Sequence, residues 1–226
     1  MQRELLCGVV DSGFSPAQAN RVAAARRFWL DESRELCEGQ IVPDANGHGT
    51  AVLAAMGESA PATRFCVAQV FDQRGVTSGA QIAAAVHWLV AQGVRVINLS
   101  LGVRSSHDSM AQACQEATAA GILLCASSPA QGAPVFPAAY PGVLRMTGDA
   151  RCAFGQWSWL DSAQADFGTS VRLRQGAMAG ASMGTAMMTG IILDYLQAHP
   201  GASNAMVVRH LQDHATFTGV ERKGMP

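Results

Sequence analysis

The feature that most restricts the fold is an alternation of short apolar runs with longer segments of helical period. Residues 5–10, 64–71, 94–99, 122–126 and 143–146 are apolar runs of strand length. Helix signals mark 48–56, 79–92, 107–120 and 182–197, and Ser203 caps a last helix to about residue 214. Within 79–92, Ile82, Val86, Leu89 and Val90 share one face. Gly121 stops the 107–120 segment, and His199-Pro200 ends the long apolar one. Ser15-Pro16 opens a further predicted helix, Ser as cap and Pro in the first turn, running to about residue 30. The stretch 31–47 is polar and reads as loop. Strands alternating with helices of ten or more residues imply a parallel sheet with right-handed crossovers. The periodicity thus predicts a doubly wound α/β domain and leaves its function open.

A chain of 226 residues can hold one large domain or two small ones. No internal repeat or linker interrupts it, so a single domain over 1–226 is the economical reading. Hydrophobic residues at 49% against 15% charged suit a buried parallel sheet rather than disorder. A net charge of −1 gives nothing to attract nucleic acid or an anionic membrane, and no apolar run reaches spanning length. Arg21 with Arg26 and Arg27 reads as the solvated face of the helix predicted after Ser15.

None of the six cysteines, Cys7, Cys37, Cys66, Cys114, Cys125 and Cys152, forms a CxxC pair, which argues against zinc. Cys7, Cys66 and Cys125 lie in strand-like runs and read as buried small hydrophobes. Met1-Gln2-Arg3-Glu4 leads into the first strand without an apolar signal core. The expectation is a cytoplasmic protein with free thiols.

Three short motifs carry chemistry. Val9-Val10-Asp11-Ser12-Gly13 puts an aspartate at the end of a buried strand. Asn46-Gly47-His48-Gly49-Thr50 puts a histidine between glycines where a helix begins. Gly180-Ala181-Ser182-Met183-Gly184 puts a serine among small residues at the start of an apolar helix. A serine hydroxyl is a poor nucleophile until a neutral imidazole accepts its proton, and the imidazole needs a carboxylate to fix its tautomer. A helix N-terminus favours a developing oxyanion. Each motif alone is ordinary: a turn, a loop histidine, a helix cap. Their order of Asp, His, Ser is one of three unrelated triad orders.

With these motifs the chain resembles the subtilisin family of serine proteases along nearly its whole length. Val96-Ile97-Asn98-Leu99-Ser100-Leu101-Gly102 is similar to the family segment preceding the substrate cleft. Phe136-Pro137-Ala138-Ala139-Tyr140-Pro141-Gly142-Val143 is similar to its Tyr-Pro-Ala-x-Tyr-Pro-x-Val stretch. The resemblance implies an α/β, three-layer fold with a mainly parallel central sheet flanked by helices. It implies a serine endopeptidase with Asp11, His48 and Ser182 as triad, needing no cofactor or metal and acting on a peptide or protein. An extended substrate would pair with Gly75, Val76 and Thr77 and with Ser100, Leu101 and Gly102 by strand addition.

The sequence departs from the family pattern at the oxyanion hole. Where the family carries Asn, 127–132 reads Ser127-Ser128-Pro129-Ala130-Gln131-Gly132. Ungapped alignment places Ala130 there, and a one-residue slip places Gln131, whose amide is the candidate donor. Ser127 or Ser128 are further candidates. Ala186 replaces the usual proline, and Asp166-Phe167-Gly168 stands where the family has Ala-Pro-Gly. Asp44 and Asn46 read as turn residues, His87 as a packed surface histidine, and Met178, Met183, Met187 and Met188 as core. No metal spacing joins His107, His199, His210 and His214.

The resemblance also leads one to expect a pro-segment, for which there is no room before residue 5. Folding unaided or with an activating partner, and narrow specificity, are then expected. Two alternatives stand beside the endopeptidase: a maturation or acyl-transferring enzyme acting on a biosynthetic precursor peptide, and a peptide-binding module that has lost turnover.

Overall fold

The first strand, β1 (Leu6–Asp11), is buried along nearly its length, so both of its edges and both of its faces must be covered. In this computed structural model, which describes residues 4–170 and 178–221, they are. β1 pairs in parallel with β4 (Arg64–Gln69) on one edge and with β5 (Val96–Leu99) on the other. The remaining strands are β2 (Val22–Leu30), β3 (Leu36–Gly39), β6 (Leu123–Ser127), β7 (Val143–Gly148), β8 (Trp157–Trp159), β9 (Phe167–Thr169) and β10 (Phe217–Thr218). They form one sheet of order β10-β8-β9-β7-β6-β5-β1-β4-β2-β3. Among the described residues only β2–β3 and β8–β9 are antiparallel, so the sheet is mainly parallel.

Alternation along the strands sorts the core into two layers. Cys7 and Val9 of β1, Phe65 and Val67 of β4 and Cys125 of β6 face α1 (His48–Ser59), α4 (Ala181–Ala198) and α5 (Asn204–Asp213). Val10, Cys66, Ala68, Ile97 and Leu124 face α2 (Gly79–Ala91) and α3 (Asp108–Ala119). This is the three-layer arrangement that the resemblance implied. Met183, Met187 and Met188 are buried in the first layer, with Met178 packed against it. After β4 the chain crosses over β1 to lay down β5. The strand order therefore reverses at β1, and the carboxyl ends of β1 and β5 form the switch point at which α/β sheets place ligand sites.

The helix predicted from Ser15 to about residue 30 is a 3-10 helix, Pro16–Arg21, followed by β2. The start signal is real: Ser15 N–H donates to Gln18 Oε1 at 3.2 Å as half of a capping box. Helix propensity in the alanine run of 22–30 loses to pairing with β4 and β3 on the two sides. The arginines consequently do not share a helix face. Arg21 donates to the carbonyls of Ala60 (2.9 Å) and Thr63 (3.1 Å), closing the end of α1. Arg26 pairs with Glu38 at 2.8 Å, and the Arg27 guanidinium lies over the Trp29 ring. β3 lies inside the predicted 31–47 loop. The two- and three-residue strands β8, β9 and β10 were not expected either, being too short to show a period. Residues 1–3, read as the lead-in to β1, lie outside the described residues.

α1 and α4 meet at Gly190, where an added Cβ would stand 2.8 Å from the Met56 carbonyl oxygen. Gly190→Ala is expected to cost about 1–3 kcal/mol by overpacking, less about 1 kcal/mol regained in helix propensity. The expected net result is a lower melting temperature, measured by calorimetry against wild type.

Candidate active site

Asp11 ends β1 with 0% exposure. Its Oδ1 accepts the Ser12 N–H at 2.7 Å and lies 2.7 Å from His48 Nδ1. His48 is the first residue of α1, preceded by Gly47 at φ 75°. Gly49 lets that helix sit against the turn after β1, since a Cβ there would stand 2.2 Å from the Gly13 carbonyl oxygen. The hydrogen bond to Asp11 raises the His48 pKa above 6.5; burial opposes this, and the charges of Asp11 and Asp44 add to it.

Ser182 occupies the first turn of α4, after Gly180 at φ 102°. Ser182 and Ser100 are bound reciprocally: Ser182 Oγ donates to the Ser100 carbonyl, and Ser100 Oγ to the Ser182 carbonyl, both at 2.9 Å. Behind them Asn98 Nδ2 donates to Ser100 Oγ and Thr189 Oγ1 donates to Asn98 Oδ1, again at 2.9 Å. This buried chain fixes the end of β5 to α4. Asp11, His48 and Ser182 thus converge on one end of the sheet. Within that convergence Asp11 and His48 are joined, and Ser182 is turned to Ser100; no hydrogen bond among the described residues links Ser182 to His48.

Of the two expected substrate segments, 100–102 meets Ser182 through Ser100, and 75–77 lies beside the loop that leads into α1. Gly75, at φ 72°, sits in a turn closed by Gly75 N–H to the Asp72 carbonyl, and its Cβ position is 3.3 Å from Asn46 Nδ2. Val76 is 59% exposed, and the Thr77 hydroxyl is buried without a hydrogen-bond partner. Ser100 and Leu101 are buried, while Gly102 packs against Val135 beside the Val103–Phe136 bridge.

Gln131 lies in the loop after β6. It is exposed and lines a pocket with Thr147, Gly148, Asp149 and Glu221, and Ala130 lines the same pocket. In the segment before it, Ser127 Oγ is 2.9 Å from Thr185 Oγ1, and Ser128 Oγ donates to the Gln164 carbonyl at 2.6 Å. Ser128 is thereby committed elsewhere as well. His87 forms a surface pair with Glu116 at 3.1 Å. Asn98, Thr185, Thr189 and Asp44 were not singled out as site residues. A polar Asn98 inside the apolar Val96–Leu99 run was the available signal.

The sequence model of the subtilase family matches residues 2–131. The chain belongs to the subtilase family. This subtilase is 29% identical over 230 residues to alkaline elastase YaB of Bacillus sp. (strain YaB), covering 93% of this chain and 59% of that protein. It is 30% identical over 198 residues to M-protease of Shouchella clausii (78% of this chain, 51% of that one) and to subtilisin Savinase of Lederbergia lenta (78% and 72%). The chain therefore spans between half and three fifths of the first two relatives. Among solved structures, a psychrophilic protease superposes with TM-score 0.67 at 18% identity (94% of this chain, 83% of that one). Sphericase does so with 0.65 at 16% (93% and 84%). These two show the subtilisin-like α/β fold.

The subtilase's His48 should titrate above pH 6.5 in an NMR titration, and lower in Asp11→Asn, which loses the charged partner. Because the folded-state value is raised, the pair's contribution to stability is full below pH 6.5. It fades as pH rises through the folded value, and chemical denaturation across that window should show this loss in wild type and not in Asp11→Asn.

Proposed function

We propose that this protein is a serine endopeptidase. The observation that carries the reading is the 2.7 Å His48–Asp11 pair at the carboxyl end of β1, with Ser182, at the N-terminus of α4, bonded to Ser100 at the end of the neighbouring β5. Ser182 Oγ attacks the peptide carbonyl. His48 takes its proton as base and returns it to the leaving amine as acid. Asp11 holds the imidazole and stabilises the imidazolium. The Ser182 N–H and the first turn of α4 receive the oxyanion, and water then releases the acyl-enzyme.

The resting hydroxyl is bound to the Ser100 carbonyl. An extended peptide pairing with the Ser100–Gly102 and Gly75–Thr77 edges offers an N–H to that same oxygen. Substrate binding then competes for Ser100 and frees Ser182 to rotate toward His48. With no Asn in residues 127–132, turnover is expected about 10²–10³-fold below that of a site with an Asn oxyanion donor.

Slow turnover and edges built for strand addition fit narrow specificity, such as trimming a precursor peptide. A cytoplasmic location belongs to the same proposal and is supported by six free cysteines. The turned Ser182 favours one second reading, a peptide-binding module without turnover.

Intact-mass analysis with a peptidyl phosphonate should give one adduct on Ser182, absent in Ser182→Ala. The same probe should label faster than an alkyl phosphonate with the same leaving group, which brings no N–H to Ser100. In a peptide-cleavage assay Ser182→Ala should lower kcat by about 10⁴–10⁶-fold. Peptide binding with neither adduct nor cleavage would replace the endopeptidase reading with the binding module.

A further inference from the structure

Asp44 lies in the loop between β3 and α1, four residues before His48, and its carboxylate is saturated with donors from both sides of the site. Oδ1 accepts Ser12 Oγ–H at 2.9 Å and Gly47 N–H at 2.8 Å. Oδ2 accepts Thr50 N–H at 2.9 Å and Thr50 Oγ1–H at 2.6 Å. Ser12 Oγ in turn accepts Gly49 N–H at 2.9 Å. The Ser12 main-chain N–H meanwhile donates to Asp11 Oδ1, the oxygen that His48 Nδ1 also meets. The bonds close a ring from Asp11 through Ser12, Asp44 and the first turn of α1 back to His48.

We infer that Asp44 is a positioning residue for His48, clamping the helix that presents the imidazole onto the strand turn that presents its carboxylate. Gly47, immediately before α1, has no side chain with which to cap it. The orphan N–H groups of the first turn are instead met from outside, Thr50 by Asp44 and Gly49 by Ser12. Gln69 of β4 fixes the same assembly from behind, donating to the carbonyls of Ser12 (2.7 Å) and Val42 (3.1 Å) and accepting Val42 N–H at 2.9 Å.

The clamp is a charged one. Burial works to raise the Asp44 pKa, but hydrogen bonds from Thr50, Gly47 and Ser12 outweigh it and hold the value below that of an ordinary aspartate. The carboxylate is therefore ionised at neutral pH and adds to the field that keeps His48 basic. The charged groups nearest His48 are then Asp11 and Asp44. Arg27 of β2 and Asp72 and Arg74 after β4 line the neighbouring cleft with Ser12 and Asn46, and the variants below leave all three intact.

The inference rests on the proposed peptidase reading for its kinetic readout alone, so two readouts are paired. In Asp44→Ala, kcat should fall about 10- to 100-fold with KM within about twofold, since a displaced base damages the chemical step rather than binding. Asp44→Asn keeps an acceptor oxygen without the charge, and should recover part of kcat. In both variants the His48 titration followed by NMR, and with it the acid limb of kcat/KM, should move to lower pH.

A wild type without peptidase activity whose His48 titration still moves in both variants would sink the peptidase reading and leave the clamp standing. Folded variants with unchanged His48 titration and unchanged kcat would overturn the clamp. If Asp44→Ala does not fold, the near-isosteric Asp44→Asn decides on the same readouts.

Discussion

Withdrawing the Asp11 carboxylate from water is the constraint around which this end of the molecule is organised. A buried carboxylate costs several kcal/mol unless donors are brought to it. β1 cannot supply them alone, because its own N–H groups are spent on the sheet. The first donor is the N–H of Ser12, made available by the turn after the strand. The second is His48, which must arrive on a helix that starts at the right height above the sheet. Gly47, Gly49 and the Asp44 loop exist in that context: each shapes the approach of α1 to the strand end, and none contributes a reacting atom.

Ser182 is held by different means. Its hydrogen bonds among the described residues are all with neutral groups. Its place is set by hydroxyl and amide groups passing hydrogen bonds from Thr189 through Asn98 to Ser100, with a further hydroxyl contact between Ser127 and Thr185. The two halves of the site are therefore tuned separately, one by ionic and helix-end interactions and the other by neutral polar ones. They meet because α1 and α4 pack in the same layer against the same strands.

The long apolar strands, helices α1 to α5 and the Asp11–His48 pair were legible because each left a local mark: a run of one character, a cap, a glycine beside a polar side chain. The segment after Ser15 misled because alanine-rich β2 owes its conformation to β4 and β3, partners remote in sequence. Short strands such as β8 carry too few residues to show a period. Gln131 is attractive by chemistry and spacing, and the pocket it lines with Thr147 and Asp149 is formed by segments too far along the chain for local sequence to show. Asp44 was read as a turn former, correctly as far as local sequence extends. Its bonds to Ser12 and to the start of α1 appear only once β1 and that helix are brought together.

Three glycines at or behind the site, Gly49 and Gly184 near it and Gly190 where α1 and α4 cross, stand where an added Cβ would lie 2.2–2.8 Å from main-chain oxygen of a neighbouring segment. Main chain resting on main chain cannot be retuned by repacking side chains, so the frame behaves as a rigid mount. An engineer has latitude at the exposed rim, at Val76 above all, and almost none at the mount. New selectivity in such a protein has to be built at that rim, because the mount admits no adjustment.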